Sequence, residues 1–451
     1  MKHFSNIIIG FGKAGKTLAG TLAKHGEEVL IIEKDPNMYG GTCINVACLP
    51  TKNMIINAHR GIEYEVALKK KNALTAMLRN KNYHKVADLQ EATVLTATAE
   101  FLDDHTVRVS DNSGQETLIA DRIFINTGAT PIWPNIDGLL ASKHVYSSTD
   151  LLVKDKQLKE LVILGSGPIG LEFASMYAQF GSHVTIIDKS SKILGHFEPE
   201  IAEQAKNDLE EDGVSFLLES NLTGVNDTLN GVNDTLNGVT LTISTPKGIK
   251  NIQADGLLVA TGRKANVTDL HLERTSIKTG SHGEILVNDI LETDAKDVYA
   301  LGDVTGGPQF TYISLDDWRI MANHLYGDKT RSRLNRPVFA NTIFLNPAIS
   351  SVGKTEAQLN EAGIDYKVLK MPAASVPKTQ VIGNPRGNYK ALIDPQTHQI
   401  LGTTIYAEES FETINIISLA MQNHLSAETL RDQIYTHPTM TEALNDLFDQ
   451  I

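Results

Sequence analysis

Ile7-Ile8-Ile9-Gly10-Phe11-Gly12-Lys13-Ala14-Gly15 is the stretch on which the fold of this 451-residue chain turns. Three β-branched residues run straight into a G-x-G-x-x-G turn. A helical pattern with Leu18, Leu22 and Ala23 on one side follows. A second apolar run, Val29-Leu30-Ile31-Ile32, ends at Glu33, 18 residues after Gly15. Strand, glycine turn, helix and strand in this order form the opening of a doubly wound α/β unit. The glycines of such a unit permit a tight turn and a close backbone approach to a pyrophosphate. The helix N-terminus presents oriented N–H groups to the same phosphates. An acid ending the second strand accepts hydrogen bonds from ribose hydroxyls. Gly10, Gly12, Ala14, Gly15, Glu33 and the adjacent Lys34 are therefore predicted to hold a dinucleotide.

The plan recurs at residues 161–188. Leu161-Val162-Ile163-Leu164 leads into Gly165-Ser166-Gly167-Pro168-Ile169-Gly170, and Val184-Thr185-Ile186-Ile187 ends at Asp188, again 18 residues past the last glycine. Gly165, Gly167, Ile169, Gly170, Asp188 and Lys189 form the second candidate nucleotide site. An acid at this place favours the free 2′-hydroxyl of NADH over the 2′-phosphate of NADPH. Lys189 and Lys192 soften that discrimination, so NADH is expected to be preferred and NADPH accepted. From about Pro337 short strands (342–345, 366–371, 390–393) alternate with helices (355–362, 414–422), which reads as a separate α+β domain. The polar run Asp328-Lys329-Thr330-Arg331-Ser332-Arg333 marks its boundary.

Composition sets outer limits. Apolar content of 41% and charged content of 21% are those of a soluble globular chain. A net charge of −13 disfavours nucleic acid or an anionic membrane as a partner. No signal-peptide pattern and no apolar run long enough to span a bilayer occurs, so a cytoplasmic location is expected. The heptapeptide Gly224-Val225-Asn226-Asp227-Thr228-Leu229-Asn230 repeats unchanged as 231–237. Its Asn-Gly dipeptides predict a duplicated surface hairpin without functional weight.

Only two cysteines occur, Cys43 and Cys48, in Gly40-Gly41-Thr42-Cys43-Ile44-Asn45-Val46-Ala47-Cys48-Leu49-Pro50-Thr51-Lys52. A zinc site needs about four ligands, and a lone structural disulfide is unusual in a reducing cytosol. A redox role remains. An ideal helix would hold Cα atoms five residues apart at roughly 8.6 Å, whereas a disulfide tolerates up to about 7 Å. Bonding of the pair therefore requires a distorted backbone between them.

Two dinucleotide units with a C-x4-C pair between them resemble the flavoprotein disulfide reductases: dihydrolipoamide dehydrogenase, glutathione reductase, mercuric reductase and relatives. Further matches are Asn126-Thr127-Gly128-Ala129-Thr130-Pro131, Ala260-Thr261-Gly262-Arg263, Val298-Tyr299-Ala300-Leu301-Gly302-Asp303 and His437-Pro438-Thr439-Met440-Thr441-Glu442. The resemblance implies an α/β fold with two Rossmann-like domains, one for FAD and one for NAD(P), plus a C-terminal α+β dimerisation domain. It divides the chain into an FAD-binding domain (1–148), an NAD(P)-binding domain (149–268), a central segment completing the FAD domain (269–335) and the dimerisation domain (336–451). FAD is expected on the first fingerprint, with Gly41, Thr42, Lys52, Thr127, Gly128 and Asp303 also in contact. Gly262 and Arg263 join the cofactor-binding set.

The same resemblance implies a mechanism. Electrons pass from NAD(P)H through FAD to a Cys43–Cys48 disulfide, with Cys48 facing the flavin and Cys43 attacking substrate. Lys52 and Glu172 would pair beside the flavin. His437 would exchange a proton with Cys43, and Glu442 would orient its ring. In this family the histidine comes from the other subunit, which implies a homodimer with shared active sites. No metal ligands are expected: His3, His25 and His59 lack ligand spacing.

No further cysteine follows the His-Glu motif and no N-terminal C-x-x-C domain is seen. That argues against thioredoxin and mercuric reductases and for a small-molecule oxidant as substrate. The segments Gly306–Arg319, Arg431–Thr436, Met38–Gly41 and Gly12–Thr17 resemble the reactive-chlorine-resistance flavoprotein group. That group reduces hypothiocyanous acid (HOSCN) to thiocyanate and has been assigned a copper(II) reductase activity. HOSCN reduction in oxidative-stress defence is therefore the expected function, with copper(II) reduction as a side activity. Dihydrolipoamide dehydrogenase, or another disulfide or metal-ion reductase of the family, is the alternative. Pro168, where relatives often carry Tyr, departs from the pattern of a tyrosine gate over the nicotinamide site.

Overall fold

A computed structural model describes residues 1–228 and 238–451 of the chain. Its first sheet is built around the strand Lys2–Ile9, which pairs in parallel with Val29–Glu33 on one side and Gly114–Ile125 on the other. Ala92–Thr96 extends the sheet beyond Val29–Glu33, and Val298–Ala300 pairs in parallel with Ile123–Ile125. Ile7, Ile8 and Ile31 are fully buried, because helices cover both faces of a parallel sheet and its strands read as unbroken apolar runs. Along its other edge the N-terminal half of Gly114–Ile125 pairs antiparallel with Thr106–Asp111, which pairs with Thr98–Phe101, so the sheet is mixed. One long strand thus serves two sheet geometries.

The second unit is a five-stranded parallel sheet in the order Val214–Leu217, His183–Ile187, Glu160–Leu164, Gly256–Val259, Val145–Tyr146. A two-stranded ribbon, Ala129–Pro131 with Arg263–Ala265, links the two units. An antiparallel sheet of Asn221–Thr228, Gly238–Thr245 and Gly248–Ala254 packs beside the second unit. The first heptapeptide copy lies partly in this sheet. Val225 is buried, so the segment contributes to a core as well as to the surface. The Asn230-Gly231 turn and Asn237 lie outside the described residues.

The C-terminal sheet is antiparallel, in the order Asn341–Ile343, Ala348–Gly353, Ile400–Ala407, Asn388–Ile393, Lys367–Pro372. The helix Ser410–Gln422 packs on it through Ile414 and Ile417 and begins one turn earlier than the sequence pattern predicts. No helix among the described residues is long and apolar enough to cross a membrane.

Candidate active site

The backbone between the two cysteines is broken, as bonding of the pair would require. Thr42–Asn45 forms a single helical turn. Val46 (φ −142°) and Ala47 (φ −141°, ψ −100°) then leave helical geometry before the helix Cys48–His59 begins. Gly41 enters this segment at φ +78°. A Cβ there would stand 2.8 Å from the Cα of Gly12, so glycine is what lets the cysteine loop lie against the first glycine turn. The cysteines stand as free thiols, half-buried and hydrogen-bonded to each other. Cys48 Sγ lies 3.5 Å from Thr311 Oγ1, at the start of the helix Thr311–Tyr326. The bond from Cys43 holds the Cys48 thiol below the usual thiol range. Burial opposes this, and Thr311 and the Lys52 ammonium reinforce it. Cys43 is pushed up by the same bond and by burial. The pair therefore releases its first proton readily, with the charge favoured on Cys48, and its second reluctantly.

Lys52 follows Cys48 by one helical turn. Its ammonium donates to both carboxylate oxygens of Glu172, at 2.8 and 2.6 Å. Glu172 sits on the helix Pro168–Gln179 of the second unit and is buried. Phe344 from the C-terminal sheet closes the pair. Its N–H donates to Glu172 Oε1 at 3.1 Å, and its ring centroid lies 4.7 Å from Lys52 Nζ. Three parts of the fold converge on one ion pair.

The two glycine turns are built alike. Gly10 (φ +102°) and Gly165 (φ +112°) each pass so close to a neighbouring strand end that a Cβ would meet a carbonyl, Asn126 O at 2.4 Å and Ala260 O at 2.6 Å. No side chain caps the helices that start after Gly12 and Gly167. In the first turn, Asn126 accepts from the Gly15 N–H at 2.9 Å and donates to Leu301 O at 2.6 Å. Ala14 N–H donates to Ser314 Oγ at 3.2 Å. Glu33 accepts from the N–H groups of Phe11 (3.1 Å) and Asp35 (3.2 Å), and burial pushes its carboxyl up. Lys34 is exposed and pairs with Asp269 at 3.1 Å.

Thr127 donates to Asn266 O at 2.7 Å, and at Gly128 (φ +72°) no protein atom lies within 4 Å of where a Cβ would stand. Gly302 N–H donates to Asp317 at 2.7 Å, and Asp317 is gripped by Arg336, which fixes the turn leading to Asp303. Burial pushes the Asp303 carboxyl up, with the charge of Arg263 pulling the other way. Arg263 follows the Gly262 turn and donates to Ala129 O.

In the second turn, Asp188 accepts from Ser166 N–H (2.7 Å), Ser166 O–H (2.8 Å) and Ser190 N–H (2.8 Å). Burial would raise its carboxyl, but these bonds outweigh burial and hold it low. Ile169 is half-buried at the helix start, and Lys189 and Lys192 are exposed.

His437 Nδ1 lies 2.7 Å from Glu442 Oε2, and Thr439 N–H holds the other oxygen at 3.2 Å. The imidazole is otherwise exposed, at 68%. Within one chain neither cysteine is among its bonded partners. His3 pairs with Asp121 and His25 stacks on Tyr326, while His59 is apart from both at the end of the cysteine helix. Among the described residues, Glu198, Glu200 and Glu356 are the one acidic group close enough to share a cation, and the Lys390 ammonium already bonds all three. Thr311, Phe344, Asn126, Ser314 and Asp317 escaped sequence reasoning. Thr311, Ser314 and Asp317 belong to the unusual segment after Asp303, which flagged the region without singling them out.

Comparison with known proteins agrees with this architecture. The pyridine nucleotide-disulphide oxidoreductase family matches residues 4–317, and its dimerisation domain matches residues 339–448. The chain is 41% identical over 451 residues to the probable pyridine nucleotide-disulfide oxidoreductase RclA of Escherichia coli, covering 100% of both chains. It is 32% identical to a mercuric reductase of Lysinibacillus sphaericus, over 98% of this chain and 81% of that one. The solved structure described as the Cu(II) complex of HOCl-induced flavoprotein disulfide reductase RclA from Escherichia coli superposes over 100% of both chains with a TM-score of 0.96 at 40% identity. With two dinucleotide-binding domains and a C-terminal dimerisation domain, the chain belongs to the pyridine nucleotide-disulphide oxidoreductase family, whose members use FAD and NAD(P)H.

Proposed function

We propose that this protein is a cytoplasmic, homodimeric NAD(P)H-dependent flavoprotein that reduces HOSCN to thiocyanate through Cys43 and Cys48, in defence against reactive chlorine species and related oxidants. The observation that carries the reading is the isolated thiol pair, with Cys48 held low by Cys43, Thr311 and Lys52 and no third cysteine to relay electrons onward. The full-length similarity to a relative described as HOCl-induced supports the oxidant class.

Uncapped helix starts after Gly12 and Gly167, the open space at Gly128, and acids at both strand ends fit two dinucleotides, FAD on the first unit and NADH on the second. The division at residues 148, 268 and 335 follows the same reading. FAD, when bound, carries the electron pair of the reduced nicotinamide to the Cys43–Cys48 disulfide.

The residues then act as follows. Cys43, deprotonated, attacks the sulfur of HOSCN; an S–S bond forms, the S–O bond breaks, and hydroxide leaves as water after protonation. His437 of the partner subunit takes the Cys43 proton and returns it to the departing oxygen, with Glu442 holding its ring. The Cys48 thiolate attacks Cys43 Sγ, thiocyanate departs, and the disulfide is restored. The net reaction is HOSCN plus NADH to thiocyanate, NAD⁺ and water. Lys52, neutralised by Glu172, keeps a cation near Cys48 without leaving a bare buried charge. Copper(II) reduction by the same thiols is a side activity of this site, in keeping with the Cu(II) complex of the relative.

The test is nicotinamide absorbance of the purified FAD-loaded enzyme with NADH and either HOSCN or lipoamide. Consumption with HOSCN is expected. Consumption with lipoamide alone would make the protein a dihydrolipoamide dehydrogenase, and none with either would refute turnover.

A further inference from the structure

Between the two cysteines sits an amide that no step above uses. Asn45 closes the helical turn Thr42–Asn45, two residues past Cys43, and is only 5% exposed. Its Nδ2 donates to Tyr39 O and to Gly41 O, each at 3.0 Å, and its Oδ1 accepts from Arg79 Nε at 2.9 Å. The backbone N–H of Asn45 also donates to Gly41 O, at 3.3 Å. Arg79 lies on the long helix Tyr64–Ala87 and reaches the start of the same loop, donating from Nη1 to Asn37 Oδ1 at 3.1 Å. Within the loop, Gly41 N–H donates to Met38 O at 2.8 Å, and Lys16 Nζ donates to Gly40 O at 3.1 Å. The segment from Asn37 to Asn45 is thus tied at both ends to one arginine and across its middle to the Asn45 amide. Beyond it, Val46 and Ala47 leave helical geometry, and Cys48 is carried by the first turn of its own helix.

We propose that Asn45 is a positioning residue for the thiol pair: its amide, clamped by Arg79, holds the loop so that a reduced Cys43 stays within bonding reach of Cys48. The inference rests on the reading of Cys43 and Cys48 as a redox disulfide. When that disulfide forms, each thiol loses one hydrogen and an S–S bond joins the sulfurs. The oxidant, HOSCN in turnover or oxidised dithiothreitol in the test below, takes up the two electrons and two protons. The stability of the disulfide then depends on how much freedom the loop gives up in closing. The thiols are free in this structure, yet the bracket is already complete. The Cys43 side is therefore ordered before the bond forms, and Val46 and Ala47 are left to absorb the change. Alanine at position 45 would strip Tyr39 O and Arg79 Nε of these partners and release the loop. The effective concentration of one thiol at the other falls, and the disulfide becomes easier to reduce.

The test uses the full-length FAD-loaded enzyme, equilibrated without oxygen at neutral pH in a series of reduced and oxidised dithiothreitol buffers. Thiols are trapped with N-ethylmaleimide and counted by mass spectrometry. Asn45→Ala should lower the ratio of disulfide to dithiol in a given buffer about tenfold, a shift of about 30 mV toward a more oxidising couple, with FAD still bound. A change under about threefold, or one toward a more stable disulfide, overturns the proposal. The unsubstituted enzyme gives a second readout, which decides if Asn45→Ala fails to fold or to keep FAD. Hydrogen exchange at the amides of Gly41 and Asn45 should be as slow in the dithiol form as in the disulfide form, with any redox difference confined to residues 46–48. Faster exchange of those two amides in the dithiol form overturns the proposal. A wild-type enzyme that shows two trapped thiols in every buffer overturns the reading of a redox pair, whereas an equilibrium that Asn45→Ala does not move overturns the bracket alone.

Discussion

The Lys52 ammonium lies 2.6 Å from the Glu172 carboxylate, and the two residues belong to different dinucleotide units. Glu172 is 9% exposed and Lys52 26%, so the pair is protected from full solvent screening. Replacing Glu172 with Ala removes the carboxylate that accepts both hydrogen bonds of a mostly buried ammonium. The expected cost is about 2 kcal/mol of stability, read from denaturant unfolding of the FAD-loaded protein. A double-mutant cycle with Lys52→Met should recover part of it, because removing both charges leaves nothing unpaired.

Cys43→Ser should abolish HOSCN turnover while the bound flavin keeps its visible spectrum, since Cys43 lies on the cysteine loop and caps no core. Turnover above about one hundredth of wild type would remove Cys43 from its role as nucleophile.

Thr311→Val keeps the shape of the side chain and deletes its hydroxyl. Cys48 then loses a hydrogen bond that lowers it. Its titration should move up by about one unit, the equivalent of about 1.4 kcal/mol. Thiolate absorbance of the reduced enzyme against pH measures this. Because Cys48 is an acid held below its ordinary value, the thiolate persists at high pH in both proteins and is lost at a higher pH in the variant as pH falls.

Lys390 is 2% exposed and bonds Glu198 (2.5 Å), Glu200 (2.6 Å) and Glu356. Lys390→Met leaves three carboxylates facing one another, and a loss of about 3 kcal/mol is expected at neutral pH by denaturant unfolding. Burial alone would raise Glu200; bonds from Lys370 and Lys390 override it and hold the carboxyl at about 2. A depressed acid stabilises the fold above its unfolded value, and that contribution is lost as pH falls toward about 2. Wild type should therefore lose stability on acidification, and Lys390→Met should lose less.

Asp188→Ser removes the carboxylate at the end of the second unit's strand. The ratio of catalytic efficiency with NADPH to that with NADH should rise about tenfold, or about 1.4 kcal/mol, as repulsion of a 2′-phosphate disappears.

Local pattern made much of this molecule legible. Both glycine turns follow from short apolar runs and fixed spacings, and structure places Gly10 and Gly165 in matching positive-φ conformations. The Cys43–Cys48 spacing, taken with a disulfide between them, called for the kind of interruption seen at Val46 and Ala47. What stayed hidden depends on distant chain segments meeting. Thr311 is an ordinary threonine until the helix it starts is set against Cys48. Phe344 reads as one more apolar strand residue, and Asn126 as part of a turn, although each completes hydrogen bonds made elsewhere. Lys390 reads as one more strand residue, yet it is buried against Glu198 and Glu200 of the second unit and Glu356 of its own domain. Periodicity reports which face a residue occupies, not which partner arrives there.

The Phe344 cap also imposes an order on synthesis. Cys43, Cys48, Lys52 and Glu172 all emerge from the ribosome within the first half of the chain, while the residue that closes over Lys52 and bonds Glu172 emerges in the last quarter. A nascent chain with both dinucleotide units complete still carries an uncovered ion pair beside its thiols. The proposed redox centre is finished only when the C-terminal sheet docks, so its assembly coincides with arrival of the part of the chain that also carries His437 and Glu442.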